Sequence, residues 1–185
     1  DSFSMGSCYI QGYFVCPKLR NVKIERTNGS ALNDKEFDFE FTSSASVTPF
    51  TAENGTVSYD DGCLKYTLSG ESGALVSPKL YVVCGNRYSA RISIRNTVFV
   101  RMRNATSASA MKVYFKTNET DEFTEELSRS FDIVANDAGF TSYYFNLSAL
   151  TDSNGYITEL KFVPVGAENG EIYIDAITFE REKEF

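Results

Sequence analysis

The sequence predicts an all-β fold, a β-sandwich of two sheets, from three observations. Short segments of alternating apolar and polar residues are separated by turn dipeptides such as Asn-Gly and Asp-Gly, at the spacing expected for a sandwich. The 185 residues include 15 Phe and 11 Tyr but no Trp, and together with abundant Thr, Ser and Val these residues favour strands over helices. The best helical candidate, residues 121–129, fits a loop equally well. This length predicts one main domain.

The strand segments begin after a short N-terminal region. In chain order the predicted strands are 36–42, 56–61, 63–69, 74–80, 88–96, 97–104, 110–118, 129–135, 141–148, 157–165 and 171–180. The turn dipeptides that follow or precede them can adopt positive φ at little cost, and they begin at Asn54, Asp61, Gly85, Asn154 and Asn169.

The last predicted strand combines core residues with a single acid. Ile172 and Ile174 share one face, and after a shift of phase Ile177 and Phe179 return to it. These are the side chains that close a sandwich core. Asp175 stands among them and requires an explanation, because a carboxylate in an apolar strand needs a partner.

Composition excludes several functional classes. The formal net charge is −7, and this argues against a nucleic-acid partner because phosphate neutralisation needs a basic surface. No apolar run approaches the roughly 18 residues that cross a bilayer, so no membrane insertion is expected. The chain has no His, which removes His-based nucleophiles, general bases and metal ligands. Its acids lie mostly in turns, and we therefore expect no enzyme activity.

Residues 1–30 are predicted to form a separate segment, either the last strand of a preceding module or a strand that adds to the sandwich of residues 31–185. Its end, RNVKIER, is loosely similar to DAITFER at residues 175–181. The chain begins at Asp1 without Met or a basic leader, so we expect a processed fragment of a larger protein with covalently linked neighbouring domains. Two alternatives stay open for the cysteines: disulfides Cys8–Cys16 and Cys63–Cys84, or buried free thiols.

A family resemblance extends over residues 36–181. The segments FDFEF, DDGCLKYTLSG, ALVSPKL, VRMRNATSASAMKVYFKTN, FDIVANDAGFTSYYFNLS, ITELKFVP and EIYIDAITF occur in an order that resembles bacterial extracellular jelly-roll modules, akin to carbohydrate-binding modules of the galactose-binding-like fold. The resemblance implies a non-catalytic, extracellular accessory module, secreted or on the cell surface, that binds polysaccharide. Such modules usually carry Trp where this chain has Phe50, Phe140 and Tyr156. The missing Trp residues favour the alternative, a structural spacer or adhesion module that binds no sugar.

Alternation in three strands predicts a glycan-binding face. It directs Val98, Val100, Met102, Val113, Phe115, Tyr143, Phe145 and Leu147 to the core. The opposite face then carries the predicted ligand-binding residues, which are Arg101, Arg103, Lys112, Tyr114, Tyr144 and Asn146. Tyrosine rings pack on the apolar face of a sugar, and arginine donates to hydroxyl or carboxylate groups, so an acidic polysaccharide is expected. The alternative is an ordinary solvated face on which these cations pair with neighbouring acids.

The resemblance also implies a structural calcium ion. In related modules a carboxylate from the first strand and one from the last hold the ion, and the matching residues are Glu40, less surely Asp38, and Asp175. Calcium takes about 6 to 8 oxygen ligands, so loops have to supply the others. The alternative is that Asp175 caps a turn or pairs with an arginine while Glu40 points to solvent.

Overall fold

The computed structural model describes residues 39–80, 82–83, 97–146 and 156–180. All of them belong to one unit, Phe37–Phe185. The predictions for the segment 1–30, for the strand 88–96 and for Asp38, Cys84 and Leu147 lie outside the described residues. Cys63 is a buried free thiol, which is one of the two predicted alternatives.

The regular secondary structure of the described residues is almost entirely β-strand, which confirms the predicted fold class. The elements are β1 (Phe39–Glu40), α1 (Ser44–Val47), β2 (Thr51–Glu53), β3 (Gly55–Asp60), β4 (Cys63–Ser69), β5 (Ala74–Val76), β6 (Val82–Val83), β7 (Thr97–Asn104), β8 (Ala110–Thr117), β9 (Ser128–Asp132), β10 (Thr141–Asn146), β11 (Tyr156–Val165) and β12 (Asn169–Glu180). Residues 121–127 form turns rather than a helix. The strands β2 and β6 and the single turn of helix α1 were not predicted, because they are too short to show a period.

Two antiparallel sheets form the sandwich. Sheet I has the order β10-β7-β12-β4-β3, with β1 paired to β12. Sheet II has the order β2-β5-β11-β8-β9, with β6 paired to β11. Their inner faces meet in one hydrophobic core whose fully buried side chains include Leu64, Tyr66, Met102, Phe115 and Leu160. Side chains that point away from this core therefore lie on two opposite sides of the protein.

Strand β12 contains the predicted change of phase. Ile174 lies opposite Met102 of β7, and Ala176 lies opposite Arg101, so the register shifts between them. This β-bulge holds one extra residue, Asp175. The side chains before and after it, such as Ile174 and Ile177, both reach the core and are at most 1% exposed.

The prediction of a single glycan-binding face is wrong. Strands β7 and β10 pair with each other in sheet I, whereas β8 pairs with β9 and β11 in sheet II. The link between β7 and β8, residues 105–109, is short enough for a hairpin, but it crosses from one sheet to the other. Alternation reveals which side of a strand faces the core, but it does not reveal which sheet contains the strand.

Candidate functional site

The structure divides the six predicted ligand-binding residues between the two outer faces. Sheet I carries Arg101, Arg103, Tyr144 and Asn146. Sheet II carries Lys112 and Tyr114. Each face is therefore a separate candidate site with its own neighbours.

The outer face of sheet II contains a cleft of about 390 Å³, which we call the aromatic cleft. Its described lining residues are Ser72, Tyr114, Phe123, Glu125, Lys161 and Val163. Strands β8 and β11 place Tyr114 directly opposite Lys161, with Val163 two residues further along. The loop between β8 and β9 brings Phe123 and Glu125 over these strands, so the cleft lies between the sheet and the loop.

Glu125 fixes the position of the Tyr114 ring. The hydroxyl of Tyr114 donates a hydrogen bond of 2.8 Å to Oε1 of Glu125, and Lys112 Nζ donates to Oε2. The hydrogen bond from Lys112 lowers the pKa of Glu125, with a further contribution from Tyr114. Burial raises the pKa of Tyr114, and its hydrogen bond to Glu125 raises it further. At neutral pH the cleft thus contains a carboxylate and a neutral phenol.

The lysines of this face are all matched by carboxylates. Lys161 pairs with Glu53 at 2.5 Å, and Lys116 pairs with Glu159 at 2.9 Å. Both ammonium groups also lie near the ring of Phe123, Lys116 at 4.5 Å and Lys161 at 5.8 Å from its centroid. These contacts hold the ring at the edge of the cleft and leave little uncompensated positive charge there.

The outer face of sheet I has a different arrangement. We call it the arginine face, and it consists of Phe99, Arg101, Arg103, Phe140, Tyr144 and Tyr173. The guanidinium carbon of Arg103 lies 4.0 Å from the ring centroid of Tyr173 and 5.9 Å from that of Phe140. Arg101 lies 5.1 Å from the Phe140 centroid. Cations and rings therefore alternate across three strands and the loop before β10.

Aromatic rings extend the arginine face to the edge strand. The rings of Phe99 and Tyr144, which are cross-strand neighbours, lie 5.0 Å apart. Tyr144 is 49% exposed and Phe140 is 37% exposed. With Phe99 and Tyr173, these rings give the arginine face an aromatic character.

Glu40 and Asp175, the predicted calcium ligands, are close neighbours. Glu40 of β1 lies opposite Ala176, and both acids line a shallow cleft of about 530 Å³ together with Thr42. Arg101 donates a hydrogen bond to Asp175 Oδ2, which is the alternative foreseen for this acid.

This donor set falls short of a calcium site. Among the described residues no three acidic, cysteine or histidine side chains gather in a metal-binding group. Calcium needs about 6 to 8 oxygens, and a guanidinium on one of two carboxylates opposes a second cation. Calcium stays a prediction.

Several residues of these two surfaces were not predicted from the sequence. Tyr173 follows the alternation of β12 and points outward between Ile172 and Ile174, so the same pattern contained the signal. Phe123, Glu125 and Phe140 lie in loops. Alternation gives no information on loops.

Comparison with known proteins gives the fold. No protein-family model and no curated protein matches the chain. A solved family 29 carbohydrate-binding module is similar over 78% of this chain and 88% of its own, with 13% identity and a TM-score of 0.51. A mutant of a family 29 module complexed with mannohexaose matches 78% of this chain and 91% of its own, with 12% identity and a TM-score of 0.51. The chain therefore has the β-sandwich fold of these carbohydrate-binding modules, as the resemblance predicted.

Proposed function

We propose that this protein is a non-catalytic carbohydrate-binding module whose aromatic cleft binds a neutral segment of a polysaccharide. The observation that carries the proposal is the pair of rings, Tyr114 and Phe123, lining a cleft of about 390 Å³ on the outer face of sheet II. Ligand sites typically enclose about 300 to 1,000 Å³ and combine apolar walls with a few polar groups. The similarity in fold to family 29 carbohydrate-binding modules supports the same function.

The cleft has the groups that a sugar ring requires. The C–H face of a pyranose packs on an aromatic ring, and Tyr114 and Phe123 offer two such surfaces. Sugar hydroxyls both donate and accept hydrogen bonds, and the cleft supplies a carboxylate acceptor in Glu125 and donors in Lys161 and Ser72. These groups are held by the contacts described above, so binding requires little reorganisation.

The charges of the cleft favour a neutral ligand. A glycan carboxylate placed on Tyr114 would lie beside the carboxylate of Glu125, 2.8 Å from the tyrosine hydroxyl. The nearby lysines already have carboxylate partners. The acidic polysaccharide expected from the sequence depended on arginines that lie on the other side of the sandwich, and the aromatic cleft by itself favours uncharged sugars.

The affinity expected from these contacts is modest. Each stacked aromatic ring contributes about 0.5 to 1.5 kcal/mol beyond its buried area, and a hydrogen bond to a charged group about 1.5 to 3 kcal/mol. Two rings and two such hydrogen bonds sum to about −4 to −9 kcal/mol before the entropic cost of association, so a Kd between roughly millimolar and micromolar is expected.

The cleft lacks the arrangement of a glycosidase. Those enzymes generally place two carboxyl groups across the scissile bond, about 5 to 9.5 Å apart. Among the described residues that line the cleft, Glu125 is the one carboxylate. We therefore propose a binding role within a larger extracellular protein, secreted or at the cell surface, with covalently linked neighbouring domains.

Within the described residues no helix has the length and apolarity required to cross a membrane.

Affinity electrophoresis tests this function. Wild-type protein should be retarded in gels containing a neutral polysaccharide from a panel of mannan, β-glucan and xylan, and Tyr114→Ala should lose the retardation. Tyr144→Ala removes an exposed tyrosine from the opposite face and serves as the matched control, with wild-type retardation expected. If no polysaccharide of the panel retards the folded wild type, the structural spacer or adhesion module is the better account. Release of reducing sugar from the panel would show an enzyme instead.

A further inference from the structure

We infer that the arginine face on sheet I is a second binding site, independent of the aromatic cleft, and that it takes the carboxylate groups of an acidic polysaccharide. This second site differs from the neutral-sugar site of sheet II, because it lies on the opposite side of the sandwich and its ligand is negatively charged.

Charge is the first argument. Lys65 pairs with Glu171 at 2.6 Å, and Arg101 pairs with Asp175. Among the described residues no carboxylate lies within 4 Å of the Arg103 guanidinium. Arg103 thus has no ion pair within the described part of the chain, although the Glu171 carboxylate is near enough for a Coulombic interaction with it, and the net charge of the protein is −7. A ligand with negative charges at spaced positions complements the arginines.

Arg103 has an unsatisfied hydrogen-bond donor. Nε of Arg103 is buried, and within the described part of the chain it has no hydrogen-bond acceptor. Buried donors are nearly always satisfied in folded proteins, and a ligand group that accepts from Nε would satisfy this one. A carboxylate accepts from Nε and from an adjacent Nη of the same guanidinium in the planar, two-bond geometry that arginine forms with such groups.

Aromatic rings surround the two arginines. Tyr173 covers one side of the Arg103 guanidinium at 4.0 Å, and Phe140 lies across both arginines. The Phe140 ring is 37% exposed and belongs to the loop before β10. A ligand reaches Nε when this ring turns aside, and the exposed rings of Phe140 and Tyr144 then offer their faces to sugar rings that carry the carboxylates.

These features together select an acidic polysaccharide. Stacking surfaces at separate positions suit successive pyranose rings, and the planar, two-bond geometry of arginine suits the carboxylates that such rings carry. Asp175 has a distinct part in the proposal: its carboxylate occupies Arg101 and competes with the ligand for that guanidinium. The affinity of the arginine face for acidic glycans is therefore lower than it would be without the Asp175 carboxylate.

The experiment measures Kd for polygalacturonate at about 50 mM salt, in EDTA, on the whole chain. Arg103→Gln should weaken binding roughly ten-fold, the loss of one charge-assisted hydrogen bond. Arg103→Lys keeps the charge but not the fork and should also weaken binding, and it replaces Arg103→Gln if that variant does not fold. Asp175→Asn releases Arg101 and should tighten binding by about three-fold or more. A gain of affinity cannot arise from a folding defect.

Opposite-face variants separate this site from the aromatic cleft. Tyr114→Ala should leave polygalacturonate binding unchanged, and Arg103→Gln should leave neutral-polysaccharide binding unchanged. Raising the salt to about 500 mM should weaken the acidic ligand far more than the neutral one. A sulfated dextran, run in parallel, distinguishes a requirement for the carboxylate from attraction to any polyanion, and equal affinity for both would overturn the carboxylate assignment.

Three results would overturn the second site. The first is that the wild type does not bind polygalacturonate. The second is that both Arg103 variants bind it as the wild type does, with melting temperatures that match the wild type. The third is that Tyr114→Ala loses polygalacturonate binding. If neutral polysaccharides fail to bind while polygalacturonate binds and depends on Arg103, the aromatic cleft is refuted and the arginine face stands.

Discussion

Replacing Asn104 by alanine tests how the crossover between the two sheets is held. Asn104, at the end of β7, is completely buried. Its amide Nδ2 donates to the carbonyl oxygens of Ala108 at 2.8 Å and Val134 at 2.9 Å. Its Oδ1 accepts from the backbone N–H of Thr106 at 3.1 Å and from the Thr106 hydroxyl at 2.6 Å. One side chain thus joins the crossover loop to the segment after β9.

The magnitude follows from these four hydrogen bonds. A typical intramolecular hydrogen bond contributes about 1 kcal/mol net, and buried groups left unsatisfied cost more. Asn104→Ala should therefore lower the free energy of unfolding by about 4 kcal/mol, a large part of the roughly 5 to 15 kcal/mol available to a domain. For a chain of this length the melting temperature should fall by about 10 °C.

Urea unfolding followed by circular dichroism measures this change. Ser107→Ala, an exposed position in the same loop, is the matched control and should stay within about 0.5 kcal/mol of the wild type. A loss below about 1 kcal/mol for Asn104→Ala, with an unchanged m-value, would refute the argument that this side chain holds the crossover.

Three further predictions concern stability. Burial raises the pKa of Glu159, but hydrogen bonds from two lysines outweigh this effect and hold the pKa below its usual value. The ionised side chain adds stability that is complete above about pH 4.3 and is lost as pH falls through the lowered pKa. In urea midpoints measured between about pH 5 and pH 3, Glu159→Gln should therefore lose less stability than the wild type. Gly55→Ala places a Cβ 2.4 Å from the Thr67 carbonyl oxygen of the neighbouring strand and should cost about 1 to 3 kcal/mol, whereas Gly139→Ala meets no atom within 4 Å and should be tolerated. If calcium binds at Asp175, protein purified without chelator should contain the metal and its melting temperature should fall in EDTA. The absence of both results would refute the calcium prediction.

The sequence was sufficient to predict the faces of single strands. In β12 it located both the core residues and the phase shift, because a bulge leaves a visible break in the alternation around Asp175. In β7 it separated the buried Val98 and Val100 from the outward Arg101. These predictions succeed because burial of apolar side chains is a local, period-two property.

Assembly of the site could not be predicted in the same way. Arg101 and Tyr114 lie on correctly predicted outward faces, yet the crossover at residues 105–109 places them on opposite sheets. The buried side chain of Asn104 fixes that crossover through contacts made only in the folded protein. Phe123 reaches the cleft through the conformation of its loop, which the alternation of strands does not determine.

Amide chemical shifts measured during titration with a neutral oligosaccharide show whether the aromatic cleft binds sugar. We expect the perturbed amides to cluster around Tyr114, Lys161 and Phe123, on β8, β11 and the loop between β8 and β9. Perturbations confined to β7, β10 and β12, or none at saturating ligand for any neutral sugar of the panel, would contradict this prediction.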